Sequence, residues 1–148
     1  LQVDVGYPDR DTERQMMVAT TGSEEATPVQ VMTAEELRAA QTLVRRLPVG
    51  ESVVEAILAI VRAGRPESSD LDEVVEYVGW GPGPRASQAL MLTCRARALI
   101  DGRLSPSLDD VVALAKPVLQ HRMALKFAAR HSGVTVDSII DLLCQRIA

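Results

Sequence analysis

The sequence predicts an all-α fold, a bundle of about six to eight helices. Apolar residues recur every three or four positions along most of the chain, which places them on one face of a helix. Helix-start signals and Gly or Pro stops separate these stretches. Aromatic residues make up 3% of the 148 residues. This scarcity argues against a β-sandwich, because strands favour aromatic and β-branched side chains.

The first 31 residues are predicted as a strand, a helix and a loop. Residues 1–5 alternate apolar and polar side chains, which is the period of a strand, and we expect the sheet of this orphan strand to lie upstream. A proline and early acidic residues indicate a helix over 8–18, with Pro8 in its first turn. Residues 19–31 show no periodicity and carry Gly and Pro, so we expect a loop there.

Two long helices and one short helix are predicted next. Thr33 begins a capping-box signal, and Pro48 ends the helix that follows it. Residues 51–63 carry a wide apolar face, which indicates a deeply buried helix. A short helix is predicted at about 69–78, capped by Ser69.

The C-terminal half is predicted to contain one long helix and three shorter ones. An Ala-rich helix runs to about Asp101. Ser105 or Ser107 starts the next helix, and Pro117 is expected to open a further one. Thr135 is predicted to cap the last helix.

Composition and charge argue against several classes of function. The chain has 16 basic and 20 acidic residues, a formal charge of −4, whereas nucleic-acid-binding proteins usually carry a basic excess. Neither lysine, Lys116 nor Lys126, follows a glycine, so the chain contains no G-x-x-x-x-G-K-[ST] phosphate loop. No apolar run approaches the ~20 residues that a membrane span needs. Two cysteines without a C-x-x-C pair indicate a reducing compartment, and we expect the cytoplasm.

The Gly- and Pro-rich segment 79–87 is the least ordinary part of the sequence. It places Arg85 at the start of the long helix, where a cation opposes the helix dipole at a cost of about 0.3–1 kcal/mol. A bound anion would explain this position, because backbone N–H groups and the guanidinium would converge on one phosphate. Gly81 and Gly83 would permit close backbone approach, and Pro84 would fix φ. The open alternative is an ordinary turn in which Arg85 forms a salt bridge with a nearby carboxylate.

The run Gly81-Pro-Gly-Pro-Arg85-Ala-Ser87 resembles the G-x-[SG]-P-R-A-S motif of the MoxR-type AAA+ ATPases. Other segments resemble the family in the same order over nearly the whole chain; they are 5–8, 33–37, 96–99, 101–103, 117–122 and 133–135. The resemblance implies the C-terminal helical lid of such an ATPase, with 1–7 as the end of the ATPase core or a linker and 8–148 as the lid. Gly83 departs from the Ser of many members, and 67–80 resembles an insertion of unknown role.

The resemblance also implies a role for Arg85 as the sensor 2 arginine, which reaches from the lid to the γ-phosphate of ATP. The other residues that it places near the nucleotide are Gly83, Pro84 and Ala86, together with Tyr7 and Pro8 at the hinge. ATP and Mg²⁺ would bind in the full-length protein, because the Walker A, Walker B and sensor 1 motifs and the arginine finger belong to the upstream core. We therefore expect this chain, which begins with Leu1 and not Met, to be a piece of a longer protein and inactive alone.

The implied partners are the chain's own upstream core, identical subunits in a ring expected to be hexameric, and von Willebrand factor A domain proteins or enzyme clients. The implied activity is chaperone-like maturation of those clients. An alternative is a non-enzymatic helical protein-interaction module, in which Arg85 serves only in a salt bridge. A helical DNA-binding domain is a third reading, which the charge of −4 disfavours.

Several other residues have structural readings that compete with functional ones. Trp80 could stack near the nucleotide, but a core position is favoured. Core packing is likewise favoured over adenine contact for Met16 and Met17, and Cys94 is predicted to be a small buried hydrophobe. The set His121, His131, Cys94 and Cys144 matches no zinc spacing, so no metal site is predicted. The three arginines expected in salt bridges or subunit contacts are Arg95, Arg97 and Arg103.

Overall fold

The computed structural model describes residues 1–23 and 27–147, and within them it contains eight helices and a two-stranded sheet. The helices are α1 (Arg10–Thr21), α2 (Ala34–Arg46), α3 (Glu51–Ala63), α4 (Asp72–Tyr77), α5 (Pro84–Ile100), α6 (Leu108–Leu119), α7 (Phe127–His131) and α8 (Val136–Cys144). The strands are β1 (Val78–Trp80) and β2 (Ala124–Leu125). The predicted all-α class and the predicted number of helices are confirmed.

The core is built mainly by α3, α5, α6 and α8. Helix α5 lies at its centre, because the buried residues of this helix recur every fourth position on one face and are 0% exposed; they are Ala86, Leu90, Cys94 and Ala98. Three of these four side chains are small, which allows the neighbouring helices to approach closely. The large side chains that fill the core between the helices include Ile60, Leu119, Ile139, Ile140 and Leu143.

Most predicted helix starts are confirmed, with two corrections. Capping boxes form at Thr33, Ser107 and Thr135. Helix α4 begins at Asp72 after Leu71 and has no side-chain cap, so the cap predicted at Ser69 is wrong. Pro117 lies inside α6 and does not open a new helix. A proline costs one hydrogen bond of the helix, but the two residues that follow it are fully buried and packing keeps them helical.

The N-terminal segment differs from the prediction. Residues 1–9 contain no helix or strand, so the segment predicted as an orphan strand at 1–5 has no strand partner here, and its pairing with an upstream sheet stays a prediction. A strand needs a partner, and the Gln2 N–H instead donates to the Pro117 carbonyl oxygen at 2.8 Å. Helix α1 begins at Arg10 after the N-cap Asp9, so Pro8 lies before the helix and its predicted place in the first turn is wrong. The helix extends to Thr21, three residues beyond the predicted end. The loop predicted at 19–31 is therefore shorter, and its residues 24–26 lie outside the described residues.

The small antiparallel sheet was not predicted. It pairs Val78 with Leu125 and Trp80 with Ala124, and the Lys126 N–H adds a 2.7 Å bond to the Tyr77 carbonyl oxygen. Strands of two and three residues are too short to show an alternating pattern in the sequence. The sheet matters for position, because β1 ends immediately before the Gly/Pro run that starts α5.

Candidate functional site

Arg85 is the second residue of α5, directly after Pro84 at the first helical position. Its side chain is exposed, and among residues 1–23 and 27–147 it has no hydrogen-bond or ion-pair partner. The helix begins from Gly83, which offers no side-chain acceptor to the first turn. Pro84 has no N–H, and the Ala86 N–H donates to the Gly83 carbonyl oxygen at 2.9 Å, so Arg85 lies at a helix start that has no carboxylate in its first turn.

The start of α5 differs from the other helix starts in its charge. Helices α1, α2, α6 and α8 begin with a side-chain cap, a capping box or both, and α3 begins with Glu51. Among the helices of eight or more residues in the described chain, α5 alone has neither a side-chain cap nor an acidic residue in its first turn. An anion at this end would be stabilised by the helix dipole and by Arg85 together.

The turn before α5 is pinned against the C-terminal end of α3. A Cβ atom on Gly81 would lie 2.4 Å from the Gly64 carbonyl oxygen and 2.8 Å from the Arg65 Cα, so only glycine fits there. Pro82 is buried beside Gly64. The close approach at Gly81 is therefore a packing contact with the end of α3, whereas a Cβ on Gly83 would meet nothing within 4 Å. The approach to a bound anion that these two glycines were expected to permit stays a prediction.

The sequence analysis did not identify Arg65 as part of this turn. Its Nε–H donates to the Pro82 carbonyl oxygen at 2.9 Å, across 17 residues of sequence. The sequence around Arg65 gives no signal for this contact, because the contact depends on how the end of α3 packs against the turn before α5.

The other residues predicted near the nucleotide occupy different environments. Pro84 is exposed beside Arg85, whereas the side chain of Ala86 is 0% exposed and packs in the core, so it cannot face a ligand. Tyr7 and Pro8 are exposed in the N-terminal segment. No hydrogen bond or ion pair between described residues joins that segment to Arg85.

Three core predictions are wrong. Trp80 is 61% exposed on β1, and Met16 and Met17 are 50% and 58% exposed. The methionines are exposed because α1 buries none of its residues in the described chain. Trp80 is exposed because β1 belongs to a two-stranded ribbon at the edge of the bundle, where only Val78 turns its side chain into the core.

Arginines and aspartates form a network at the C-terminal end of α5. The Arg103 guanidinium donates to both carboxylate oxygens of Asp110 at 2.7 Å and to Asp101 at 2.9 Å. Arg97 lies 3.4 Å from Asp110, so the predicted salt bridges are confirmed for Arg97 and Arg103. Asp110 is 1% exposed, and its hydrogen bonds from Arg103 hold the pKa of the carboxyl below its usual value. Arg95 forms no ion pair in the described chain and donates to the Arg45 carbonyl oxygen at 3.4 Å.

The cysteines and histidines do not form one cluster. Cys94 is buried, as predicted, and burial with the nearby Asp110 charge raises the pKa of its thiol to about 12. His131 is exposed and its ring lies 5.5 Å from that of Phe127, while His121 is exposed at the end of α6. Within residues 1–23 and 27–147, no three His, Cys, Asp or Glu side chains are grouped as metal ligands.

Comparisons with known proteins show which proteins this chain is similar to. A family model described as the AAA lid domain matches residues 73–143, which include the Gly/Pro turn and Arg85. The chain is 27% identical to the chaperone MoxR1 of Mycobacterium tuberculosis over 148 residues, 99% of this chain and 39% of that protein. The chain is thus similar to an AAA lid domain and to the chaperone MoxR1, and we refer to it as the lid.

Two further likenesses extend over most of the chain. The chain is 29% identical to the uncharacterized protein YeaC of Bacillus subtilis over 140 residues, 92% of this chain and 40% of that protein. A crystal structure of a protein from Cytophaga hutchinsonii, proposed to be an ATPase, superimposes with a TM-score of 0.85 at 22% identity. That match covers 95% of this lid and 43% of the other chain, and it shows the fold alone. The chain thus spans about 40% of the length of the curated relatives it matches.

No helix in the described part of this lid is long and apolar enough to cross a membrane.

Proposed function

We propose that this lid supplies Arg85 as the sensor 2 arginine of an ATPase. In this role the guanidinium contacts the γ-phosphate of ATP held by the upstream core, and the contact couples the state of the nucleotide to the angle of the lid. The observation that carries the proposal is the exposed Arg85 at a helix start with no cap, no acidic residue and, among the described residues, no partner.

The electrostatics of the α5 start fit a phosphate group. A helix N-terminus carries about half a positive charge, which stabilises a nearby anion. In α5 this charge supports the proposal more than free donors do, because Pro84 has no N–H and the Ala86 N–H donates to the Gly83 carbonyl oxygen. Arg85 adds a fork of donors that matches phosphate oxygens in two-pronged geometry. A salt bridge between Arg85 and a carboxylate of the lid would weaken this fit, and none is present in residues 1–23 and 27–147.

The function of the whole protein follows as part of the same proposal. ATP would bind with Mg²⁺, and the ligands of the ion would belong to the upstream core. The ATPase would assemble as a homo-oligomeric ring, a hexamer, in the cytoplasm. It would act as a chaperone-like factor that matures enzyme clients or works with von Willebrand factor A domain proteins. The similarity to the chaperone MoxR1 supports this direction.

The exposed apolar side chains of α1 and α2 suit a lid that packs against another domain. Leu37 and Leu43 are each 50% exposed, as is Met16, and neither helix buries a residue in the described chain. We propose that the upstream core covers apolar side chains of both helices. The same observation favours the second candidate function, a protein-interaction module, in which a separate partner covers them.

The test is ATP turnover by the longer ATPase that carries this lid, with Arg85→Ala. We expect kcat/KM to fall about 100-fold, because one preorganised donor to a developing charge is removed. Arg62→Ala is the matched control, since Arg62 is an exposed arginine of α3 whose side chain has no partner in the described chain. Unchanged turnover and unchanged ATP affinity in Arg85→Ala would contradict the sensor role and leave the interaction module.

A further inference from the structure

Arg65 connects the end of α3 to the turn that carries Arg85. Its Nε–H donates to the Pro82 carbonyl oxygen at 2.9 Å, and the Arg65 side chain is half-buried. Pro82 lies only two residues before the start of α5. The hydrogen bond therefore acts on the peptide group between Pro82 and Gly83, which sets the direction in which the chain enters the helix.

The backbone contact between Gly81 and Gly64 fixes the distance between the turn before α5 and the end of α3. It does not fix the rotation of the chain after Pro82. Gly81 touches the backbone of Gly64, and a Cβ on Gly64 would lie 3.0 Å from Pro82 Cδ, so the two corners cannot approach further. Gly83, by contrast, has open space around it and no side chain to restrain its dihedral angles. The Gly83 carbonyl oxygen is already tied to α5, because it accepts the Ala86 N–H at 2.9 Å. The rotation left open is the one about the N–Cα bond of Gly83, and the Arg65 hydrogen bond to the Pro82 carbonyl group restrains it.

We propose that Arg65 is a positioning residue for Arg85, acting through its Nε–H and not through its charge. The acceptor is a neutral backbone carbonyl, and Nε is the Arg65 atom that reaches it. This inference rests on the proposed sensor role of Arg85. It assigns to the end of α3 a part in phosphate recognition that the sequence motif around Arg85 does not contain.

Replacing Arg65 by glutamine or by methionine, two side chains of equal length, distinguishes the role of its N–H donor from the role of its charge. Glutamine places its amide N–H₂ the same number of bonds from Cα as arginine places Nε, whereas methionine has a similar length and no donor. In the ATPase that carries this lid, we expect Arg65→Met to lower kcat about three- to tenfold, the effect of one lost hydrogen bond. We expect Arg65→Gln to retain turnover close to that of the unmodified enzyme. Arg62→Met is the matched control and is expected to leave turnover unchanged.

A double variant distinguishes positioning from a general loss of stability. If Arg65 acts through Arg85, Arg65→Met has no further effect once Arg85→Ala is present, because the two residues contribute to one contact. Additive losses would overturn the proposal, since they would show an effect of Arg65 that bypasses Arg85. Equal losses in Arg65→Gln and Arg65→Met would also overturn it, as would full turnover in Arg65→Met.

Failure of the sensor role gives a different result from failure of the positioning role. If the sensor role fails, Arg85→Ala hydrolyses ATP normally. The positioning of Arg85 for phosphate contact then fails as well. If Arg85→Ala is impaired while Arg65→Met is not, only the positioning role fails. Hydrogen exchange over residues 82–90 adds a structural readout, with faster exchange expected in Arg65→Met than in Arg65→Gln.

Discussion

Gly81 packs so closely against Gly64 that a Cβ atom at position 81 would lie 2.4 Å from the Gly64 carbonyl oxygen. This contact brings the backbone before α5 onto the backbone that follows α3. The first glycine of the motif is thus explained by the packing of this turn against the end of α3. Its consequence for function is indirect, because the same contact fixes where α5 begins.

The packing of Gly81 predicts that Gly81→Ala destabilises the lid by about 2 kcal/mol, because an added methyl group must displace backbone atoms that cannot rotate away. Chemical unfolding measures this change. Gly6→Ala is the matched control, since a Cβ on Gly6 would meet nothing within 4 Å, and its unfolding midpoint should stay the same. Equal stability of Gly81→Ala and Gly6→Ala would show that Gly81 does not pack against Gly64 as closely as described.

Gly83→Ser, in contrast to Gly81→Ala, is predicted to stabilise the lid. Position 83 is the N-cap of α5, with φ −84° and ψ −177°, a conformation that serine adopts readily, and the space around it is open. A serine hydroxyl there can accept a hydrogen bond from the first turn, so stability should rise by about 0.3 kcal/mol. The unfolding midpoint in urea measures the gain. A clear loss of stability would mean that Gly83 needs a conformation other than the one described.

The helices were predictable where local signals decide them. Thr33 and Thr135 are followed by side chains that complete capping boxes. The helix over 51–63 was predicted with the right ends, because its flanking glycines and its apolar face indicate the same limits. The two-stranded sheet and the exposure of Trp80 were not predictable. Both depend on the packing of segments more than 40 residues apart, and five strand residues carry too short a pattern to be recognised.

The buried carboxylate of Asp110 predicts a pH-dependent contribution to stability. Because the pKa of Asp110 is lowered in the folded lid, this contribution is complete above the unfolded value of about 3.9 and is lost as pH falls through the folded value. At pH 7, Asp110→Asn should lower the free energy of unfolding by about 2 kcal/mol, since two charge-assisted hydrogen bonds from Arg103 are weakened.

Urea unfolding at pH 7 and at pH 3 tests this expectation. The difference between Asp110→Asn and the unmodified lid should shrink at pH 3, which lies below the unfolded value, because the unfolded state then binds a proton that the folded carboxylate resists. Asp109→Asn is the control, because Asp109 is exposed on the same turn of α6. A difference that stays constant across this range would contradict an ionised Asp110 in the folded lid.

Burial of Cys94 predicts an unreactive thiol. With a pKa of about 12, the thiolate fraction at pH 8 is about one in ten thousand, and the side chain is 0% exposed. Burial raises the pKa of the Cys144 thiol as well. Mass spectrometry after iodoacetamide treatment should find no labelled cysteine in the folded lid and two in urea. Rapid labelling of folded Cys94 would show that the centre of α5 opens to solvent.

The candidate site was only partly predictable from the sequence. Arg85 is identifiable because its motif is local, and its charge conflicts with its place at a helix start. Ala86 belongs to the same motif, but its side chain faces the core, since it begins the buried stripe of α5. Arg65 was missed because its contact with Pro82 arises only when α3 and α5 pack together.

The central claim is that Arg85 contacts the γ-phosphate, and ATP–ADP discrimination tests it most directly. The measurement compares affinities for the two nucleotides in the ATPase that carries this lid, made unable to hydrolyse ATP through its core, with and without Arg85→Ala. We predict that Arg85→Ala weakens ATP binding about tenfold and leaves ADP binding nearly unchanged, because only ATP has the group that the guanidinium contacts. Equal affinities of the two forms for ATP, or equal losses for ATP and ADP, would contradict the claim.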